Sequence, residues 1–149
     1  MKKFSLILSI AVLAVIMIAA SADETITHDP RLQGVWELED QYFYENNEVV
    51  DTAANMHGYR QVKVYSHSKV MWTRYNPKDT LEWFGYGSYS IVDDWLEERI
   101  EYGSNPMMQA IDTITVFRFE LEFEEGRFRQ IAMDNDGNRY FSENYKKID

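Results

Sequence analysis

The sequence predicts an all-β fold: one antiparallel up-and-down β-barrel of about eight strands behind a cleavable signal peptide. Three observations indicate it. Aromatic residues, among them 10 Tyr and 8 Phe, recur at alternate positions, which is the period of a β-strand. Short turns join these segments and favour antiparallel neighbours. A Leu32-x-Gly34-x-Trp36 segment opens the series, and in small barrels such a Trp closes one end of the core.

The first 22 residues have the pattern of a signal peptide. Lys2 and Lys3 precede an apolar run over residues 6–20, and small residues at 20–22 (ASA) predict cleavage after Ala22. An uncleaved anchor is the alternative, but the run is short for a transmembrane helix, which needs about 20 apolar residues. The pattern therefore predicts a secreted or periplasmic protein.

Composition limits the partners of the chain. The formal net charge is −10, and losing the two lysines of the signal peptide makes it more negative. This acidic surface argues against nucleic acid and anionic membranes. With no Cys, the core must stabilise the fold without disulfides. The length fits one domain, and the expected parts are a signal peptide at 1–22, a flexible segment at 23–31 and the barrel domain at 32–149.

Four strands are predicted in the first half of the domain, at residues 34–44, 59–66, 69–75 and 83–92. The segment 46–48 (NNE) ends the first of them. Residues 49–57 have the best helical composition in the mature chain and predict a short helix or a loop over one barrel end. Pro77 fixes the turn before the fourth strand. Gly85 and Gly87 face one side of that strand, which indicates a sharp bend or a close packing partner.

Four more strands are predicted at residues 95–102, 113–123, 127–133 and 139–146. Turns at 93–94, 124–126 and 135–138 separate them, and the Asp-Gly pair in the last is a strong hairpin signal. Residues 107–112 form a connection long enough for one helical turn. A two-sheet sandwich is the competing architecture, because the number of strands does not separate the two folds.

The middle of the chain also resembles a known family. Residues 71–75 (MWTRY), 85–91 (GYGSYSI) and 98–104 (ERIEYGS) are similar to the middle of the secreted bacterial lipocalin-like proteins, which are calycin-type β-barrels. The Leu-x-Gly-x-Trp opening and the closing residues 142–147 (SENYKK) are similar too, although the family pattern usually closes on Glu-x-Trp. Function in this family is largely undefined, so the resemblance implies the barrel more than an activity.

Two carboxylates lie on largely apolar strand faces. Glu98 alternates with Leu96 and Ile100, and Glu143 alternates with Phe141. If these faces point inward, burial raises the pKa of a carboxyl group, and two such groups can divide acid and base roles. The alternatives are a buried polar cluster with an interior Arg or Tyr, or a solvent-facing position. On the neighbouring strands Arg118 is expected outside, whereas the side on which Arg74 lies stays open.

No metal or cofactor site is expected. His28, His57 and His67 share no ligand spacing. Residues 134–137 (DNDG) look like the start of a calcium loop, but Tyr145 stands at the twelfth position where such a loop needs Glu, so a hairpin is favoured. No nucleophile elbow or phosphate-binding loop is present.

The leading hypothesis is an exported, non-enzymatic barrel that binds a small, largely apolar molecule with one polar group. Its candidate pocket residues are Trp36, Trp72, Tyr89, Glu98, Phe117, Phe119, Glu143 and Tyr145. An alternative is a solid-core barrel that acts as a protein-interaction module in the cell envelope through its connections at 45–58 and 103–112. A third hypothesis is an enzyme that uses Glu98 and Glu143 as a carboxylate pair.

Overall fold

A computed structural model describes residues 29–54 and 58–149, and these residues form nine β-strands and one short helix. The predicted signal peptide, His28 and His57 lie outside this part of the chain. The strands are β1 (Gly34–Glu45), β2 (Glu48–Ala54), β3 (Arg60–Tyr65), β4 (Lys69–Tyr75), β5 (Trp83–Val92), β6 (Trp95–Gly103), β7 (Val116–Glu124), β8 (Arg127–Met133) and β9 (Arg139–Lys147). The helix, α1 (Asn105–Ile111), connects β6 to β7.

All nine strands belong to one antiparallel, up-and-down sheet that returns on itself like a ring. From β3 to β9 each strand pairs with the next, and β1 pairs with both β3 and β9. The predicted all-β, antiparallel, up-and-down order is thus confirmed. The competing two-sheet sandwich is wrong for the described residues, because backbone hydrogen bonds run around the whole ring without dividing it.

The helix or loop predicted at 49–57 is wrong for residues 49–54, because residues 48–54 form β2, which pairs with the second half of β1. Residues 55–57 lie outside the described part of the chain. The turn between them explains the difference. Asn46 and Asn47 both have positive φ, 52° and 65°, and Asn tolerates this left-handed region. Two such residues make the tight hairpin that matches the twist of paired strands. Val49 and Val50 then favour a strand because they are β-branched.

One end of the ring is filled by an apolar core. Trp36 is 2% exposed, its ring meets Phe128 edge-on at 4.8 Å, and its indole N–H donates to the Leu32 carbonyl. Gly34 has a φ of +128° and lies against the backbone of Asp149, so a side chain there would be both strained and obstructed. The core residues are Leu32, Trp36, Leu38, Tyr65, Val70, Tyr89, Ile91, Leu96, Leu121, Phe128 and Tyr145.

At the other end α1 lies beside β5 and β6. Pro106 stands at its first turn, where a missing backbone N–H costs nothing. Met107 is the buried residue of the helix and packs inward. The sequence predicted one helical turn at 107–112, and the structure has a helix that begins two residues earlier. None of the helices that the structure describes could cross a membrane.

Candidate functional site

A layer of polar side chains crosses the interior, between the apolar core and the end that carries α1. Four strands contribute to it, namely β3, β6, β8 and β9. We call it the polar layer, and its members are Gln61, Lys63, Glu98, Gln130 and Glu143. Each is at most 8% exposed, so their hydrogen bonds must come from the protein or a bound molecule.

Lys63 and Glu98 form a buried ion pair at the centre of the layer. The Lys63 ammonium lies 2.9 and 3.1 Å from the two Glu98 oxygens, and both side chains are 4% exposed. Lys63 also donates to Gln130 Oε1 at 2.8 Å, and the Tyr65 hydroxyl donates to Glu98. A buried pair is tolerated when further hydrogen bonds satisfy both ions, as they do here.

Glu143 is held by neutral donors. Gln61 Nε2 donates to its Oε1 at 2.9 Å, while Gln130 Nε2 and the Tyr145 hydroxyl donate to its Oε2, each at 2.8 Å. None of the described Lys or Arg side chains forms an ion pair with it. Since Gln130 also accepts from Lys63, one continuous network joins the two carboxylates.

Tyr65 and Tyr145 are fixed as hydroxyl donors. Burial raises the pKa of both phenols well above its usual value, and a neighbouring carboxylate adds to the shift: Glu98 for Tyr65 and Glu143 for Tyr145. Both phenols therefore keep their protons at neutral pH and stabilise the carboxylates that accept from them.

The network favours a structural role for both carboxylates over acid–base catalysis. Glu98 and Glu143 do face the same interior, as the enzyme hypothesis requires. However, every carboxylate oxygen already accepts from Lys63, a Tyr or a Gln. A general base needs to reach a proton on the substrate. Of the alternatives open from the sequence, the geometry matches the buried polar cluster.

A cavity of about 260 Å³ lies between the polar layer and α1. The polar layer forms its floor, Arg74 stands on its wall, and Met107 and Ala110 of α1 border it. Rings from three strands complete the wall, and these are Trp72, Trp83, Phe117 and Phe119, with Ile100 beside them.

The Trp72 ring packs against Gly85, the residue on β5 that pairs with Trp72 on β4. A Cβ at Gly85 would lie 2.8 Å from the indole Nε1, so only glycine leaves room for the ring. Gly87 faces the backbone of Arg99 and Ile100, where the β5–β6 register shifts. The sequence predicted either a bend or a close packing partner at these glycines. Gly85 has a close packing partner, the Trp72 ring, and Gly87 lies at the register shift between β5 and β6.

The Arg74 side chain points into the interior of the ring. The sequence did not decide between the inner and the outer face of β4 for this residue. Its Nε donates to Gln61 Oε1 at 3.1 Å. Its guanidinium carbon lies 5.8 Å from the Trp83 ring centroid and 6.0 Å from that of Tyr59. Arg118 lies outside as predicted, over the Trp95 ring at 4.4 Å.

The structure divides the candidate pocket residues into two groups. Those that border the cavity are Trp72, Glu98, Phe117, Phe119 and Glu143. The other three belong to the core. Trp36 packs at the far end, Tyr89 donates to the Ser66 carbonyl, and Tyr145 stacks on Phe128 with its hydroxyl at the polar layer. Ligand binding by any of these residues stays a prediction.

Sequence reasoning missed Gln61, Lys63, Gln130 and Trp83. The sequence of β3, RQVKVY, suggests an apolar face of Val62 and Val64, yet its buried residues are Gln61, Lys63 and Tyr65. The available signal was Tyr65, a large ring that alternates with the two polar residues. Inward polar side chains become acceptable because partners from other strands satisfy them, and strand periodicity does not reveal those partners.

The loop at 134–138 is a hairpin turn. Asp134 accepts backbone N–H groups from Asp136 and Asn138, and these hydrogen bonds, that of Asn138 first, lower its pKa. Gly137 takes a φ of +81°. Within 29–54 and 58–149, no cluster of three His, Asp or Glu residues is arranged to hold a metal ion.

Comparison with known proteins adds no argument about the fold or the function of this chain. No family model matches the chain, and no curated protein does. Among solved structures, the chain is similar to the crystal structure of an uncharacterized protein from Bacteroides eggerthii, with a TM-score of 0.48 and 14% sequence identity. The match covers 77% of this chain and 98% of the other. A likeness at this level carries no argument about function.

Proposed function

We propose that the protein is an exported, lipocalin-like β-barrel that binds a small molecule without transforming it. Export rests on the signal-peptide pattern of residues 1–22, and the lipocalin-like barrel rests on the family resemblance together with the ring-like sheet. The binding site is the cavity below α1. Its ligand has an apolar body that contacts the rings and a polar group that contacts the layer or Arg74.

The observation that carries this proposal is the cavity itself, with aromatic walls and a few fixed polar groups. Small-molecule sites combine these two features, and typical volumes are about 300–1,000 Å³. At about 260 Å³, the cavity suits a compact ligand and is too small for a long lipid. The polar layer is internally hydrogen-bonded, so the site needs little rearrangement on binding, which reduces the cost of binding.

The same cavity argues against the two alternatives. A solid-core interaction module needs an interior that side chains fill completely, and here the space between the polar layer and α1 is open. An enzyme that uses Glu98 and Glu143 needs a carboxylate able to exchange protons with a substrate, and both are held by protein donors.

Titration with hydrocinnamyl alcohol, a neutral probe of suitable size, tests the proposal by NMR of the tryptophan indole N–H groups. We expect the signals of Trp72 and Trp83 to shift, while that of Trp95 on the outer face stays in place. Ala110→Trp should fill the cavity and weaken binding, whereas Gln109→Trp on the same helix should not. Unchanged Trp72 and Trp83 signals at millimolar probe would contradict the proposal.

A further inference from the structure

We propose that the ligand is a small monocarboxylic acid and that Arg74 binds its carboxylate. This inference rests on the proposed ligand-binding function and assigns its ligand class. Arg74 stands where the cavity meets an outer groove beside the β4–β5 loop, because it borders both spaces. A ligand that enters the cavity can therefore reach its guanidinium.

Lys63 and Arg74 are the two positively charged residues among those described that border the cavity. Lys63 is neutralised by Glu98 and hydrogen-bonded to Gln130. Arg74 forms no ion pair with any carboxylate of the described residues, and of its N–H groups only Nε has a described acceptor, Gln61. A half-buried cation without a counterion is costly, and an anionic ligand would remove that cost.

Three side chains lie beside the Arg74 guanidinium. The Gln61 side chain holds Nε, and the rings of Trp83 and Tyr59 lie on the guanidinium at 5.8 and 6.0 Å. Neither terminal nitrogen donates to an acceptor among the described residues. A planar guanidinium with both terminal nitrogens free can bind a carboxylate through two parallel hydrogen bonds.

Carboxylates lie on both sides of Arg74, in the cavity and in the outer groove. Glu143 is separated from Arg74 by Gln61, which donates to the carboxylate and accepts from the guanidinium. Asp79 and Glu82 line the outer groove on the other side of Arg74. They disfavour an anion that remains in the groove, so we expect the carboxylate to bind from the cavity side with its apolar body against the rings.

The test compares hydrocinnamate with hydrocinnamyl alcohol, which share an apolar body and differ in charge. Because a hydrogen bond to a charged group contributes about 1.5–3 kcal/mol, wild-type protein should bind the acid at least about tenfold more tightly. Arg74→Gln should abolish this preference, because it removes the charge that distinguishes binding of the acid from binding of the alcohol. Arg118→Gln, which removes an equal charge from the outer face, should keep the preference.

The outcomes separate this inference from the function on which it rests. Equal affinities in the wild type, or a preference that survives in Arg74→Gln, would overturn the carboxylate assignment and leave ligand binding standing. If neither probe shifts the Trp72 and Trp83 signals, both proposals fail. If Arg74→Gln does not fold, Arg74→Lys serves instead. It keeps the charge but lacks the two parallel donors, so the preference should fall several-fold, and an unchanged preference overturns the assignment.

Discussion

Lys63 connects the two carboxylates of the polar layer, Glu98 and Glu143. It balances the charge of Glu98 directly and reaches Glu143 through Gln130. Its side chain is 4% exposed, so neither charge of the pair is solvated by bulk water. Removing one partner would leave the other as an uncompensated buried charge, which is the costly case, whereas replacing both removes the need for compensation.

We therefore expect Glu98→Met and Lys63→Met each to lower the free energy of unfolding by about 3–5 kcal/mol. The double variant Lys63→Met/Glu98→Met should lose clearly less than the sum of the two. Urea unfolding measures all three. Lys69→Met breaks the exposed pair with Glu101 and serves as the control, with an expected loss of about 0–1 kcal/mol. Additive losses in the double variant would show that the pair is not coupled.

At the scale of elements, the β1–β2 hairpin shows how two turn residues override composition. Residues 49–54 look helical alone, but Asn46 and Asn47 reverse the chain so that β2 lies along β1. The Asn47 side chain also accepts the backbone N–H of Arg139, which ties the turn to the start of β9. Among the described residues the Asn46 side chain has no hydrogen-bond partner, so its backbone conformation can be tested alone.

Asn46→Val should destabilise the protein by about 1–2 kcal/mol, because a β-branched residue is strained at a φ of 52°. Asn46→Gly should be tolerated, since glycine adopts this conformation without strain. Thermal or urea unfolding of the two variants gives the comparison. Asn76→Gly is the matched control: Asn76 has no positive φ and its side chain accepts the Lys78 N–H, so glycine should weaken that turn. Equal effects of Val and Gly at position 46 would contradict this explanation.

On the scale of the whole molecule, β1 closes the sheet and the interior is layered. Its first half pairs with β3, its second half with β2, and its other edge with β9. β3 has a strand on each side and buried side chains, whereas β2 pairs with β1 alone among the described strands and is exposed along nearly its whole length. The ring and the β2 extension therefore differ in local stability.

Hydrogen exchange should show this difference. Amides of β2 should exchange orders of magnitude faster than those of β3, although both strands pair with the same edge of β1. Amides that donate within the β1–β9 ladder should be among the slowest, because they close the ring beside the core. Mass spectrometry of peptides from β2 and β3 measures the exchange rates of their amides. Equal rates would mean that β2 has the same local stability as the ring.

Local signals predicted most of the fold. Turn residues such as Asp93-Asp94, which both adopt positive φ, marked the ends of strands, and alternating rings gave the strand period. The same signals placed Phe117 and Phe119 inside and Arg118 outside, because one face of β7 is clearly apolar. Where both faces of a strand carry apolar residues, as in β3 and β4, periodicity does not choose between them.

The sequence by itself therefore determined the all-β, antiparallel order of this protein, since strand period and turn chemistry act between residues close in the chain. The tertiary structure decided what the interior contains. Lys63 meets Glu98 35 positions away, and Gln61 meets Glu143 82 positions away, only because the sheet returns on itself. A buried polar group is stable only when its partners are present, and partners so distant in sequence are brought together by the closed sheet rather than by local preference.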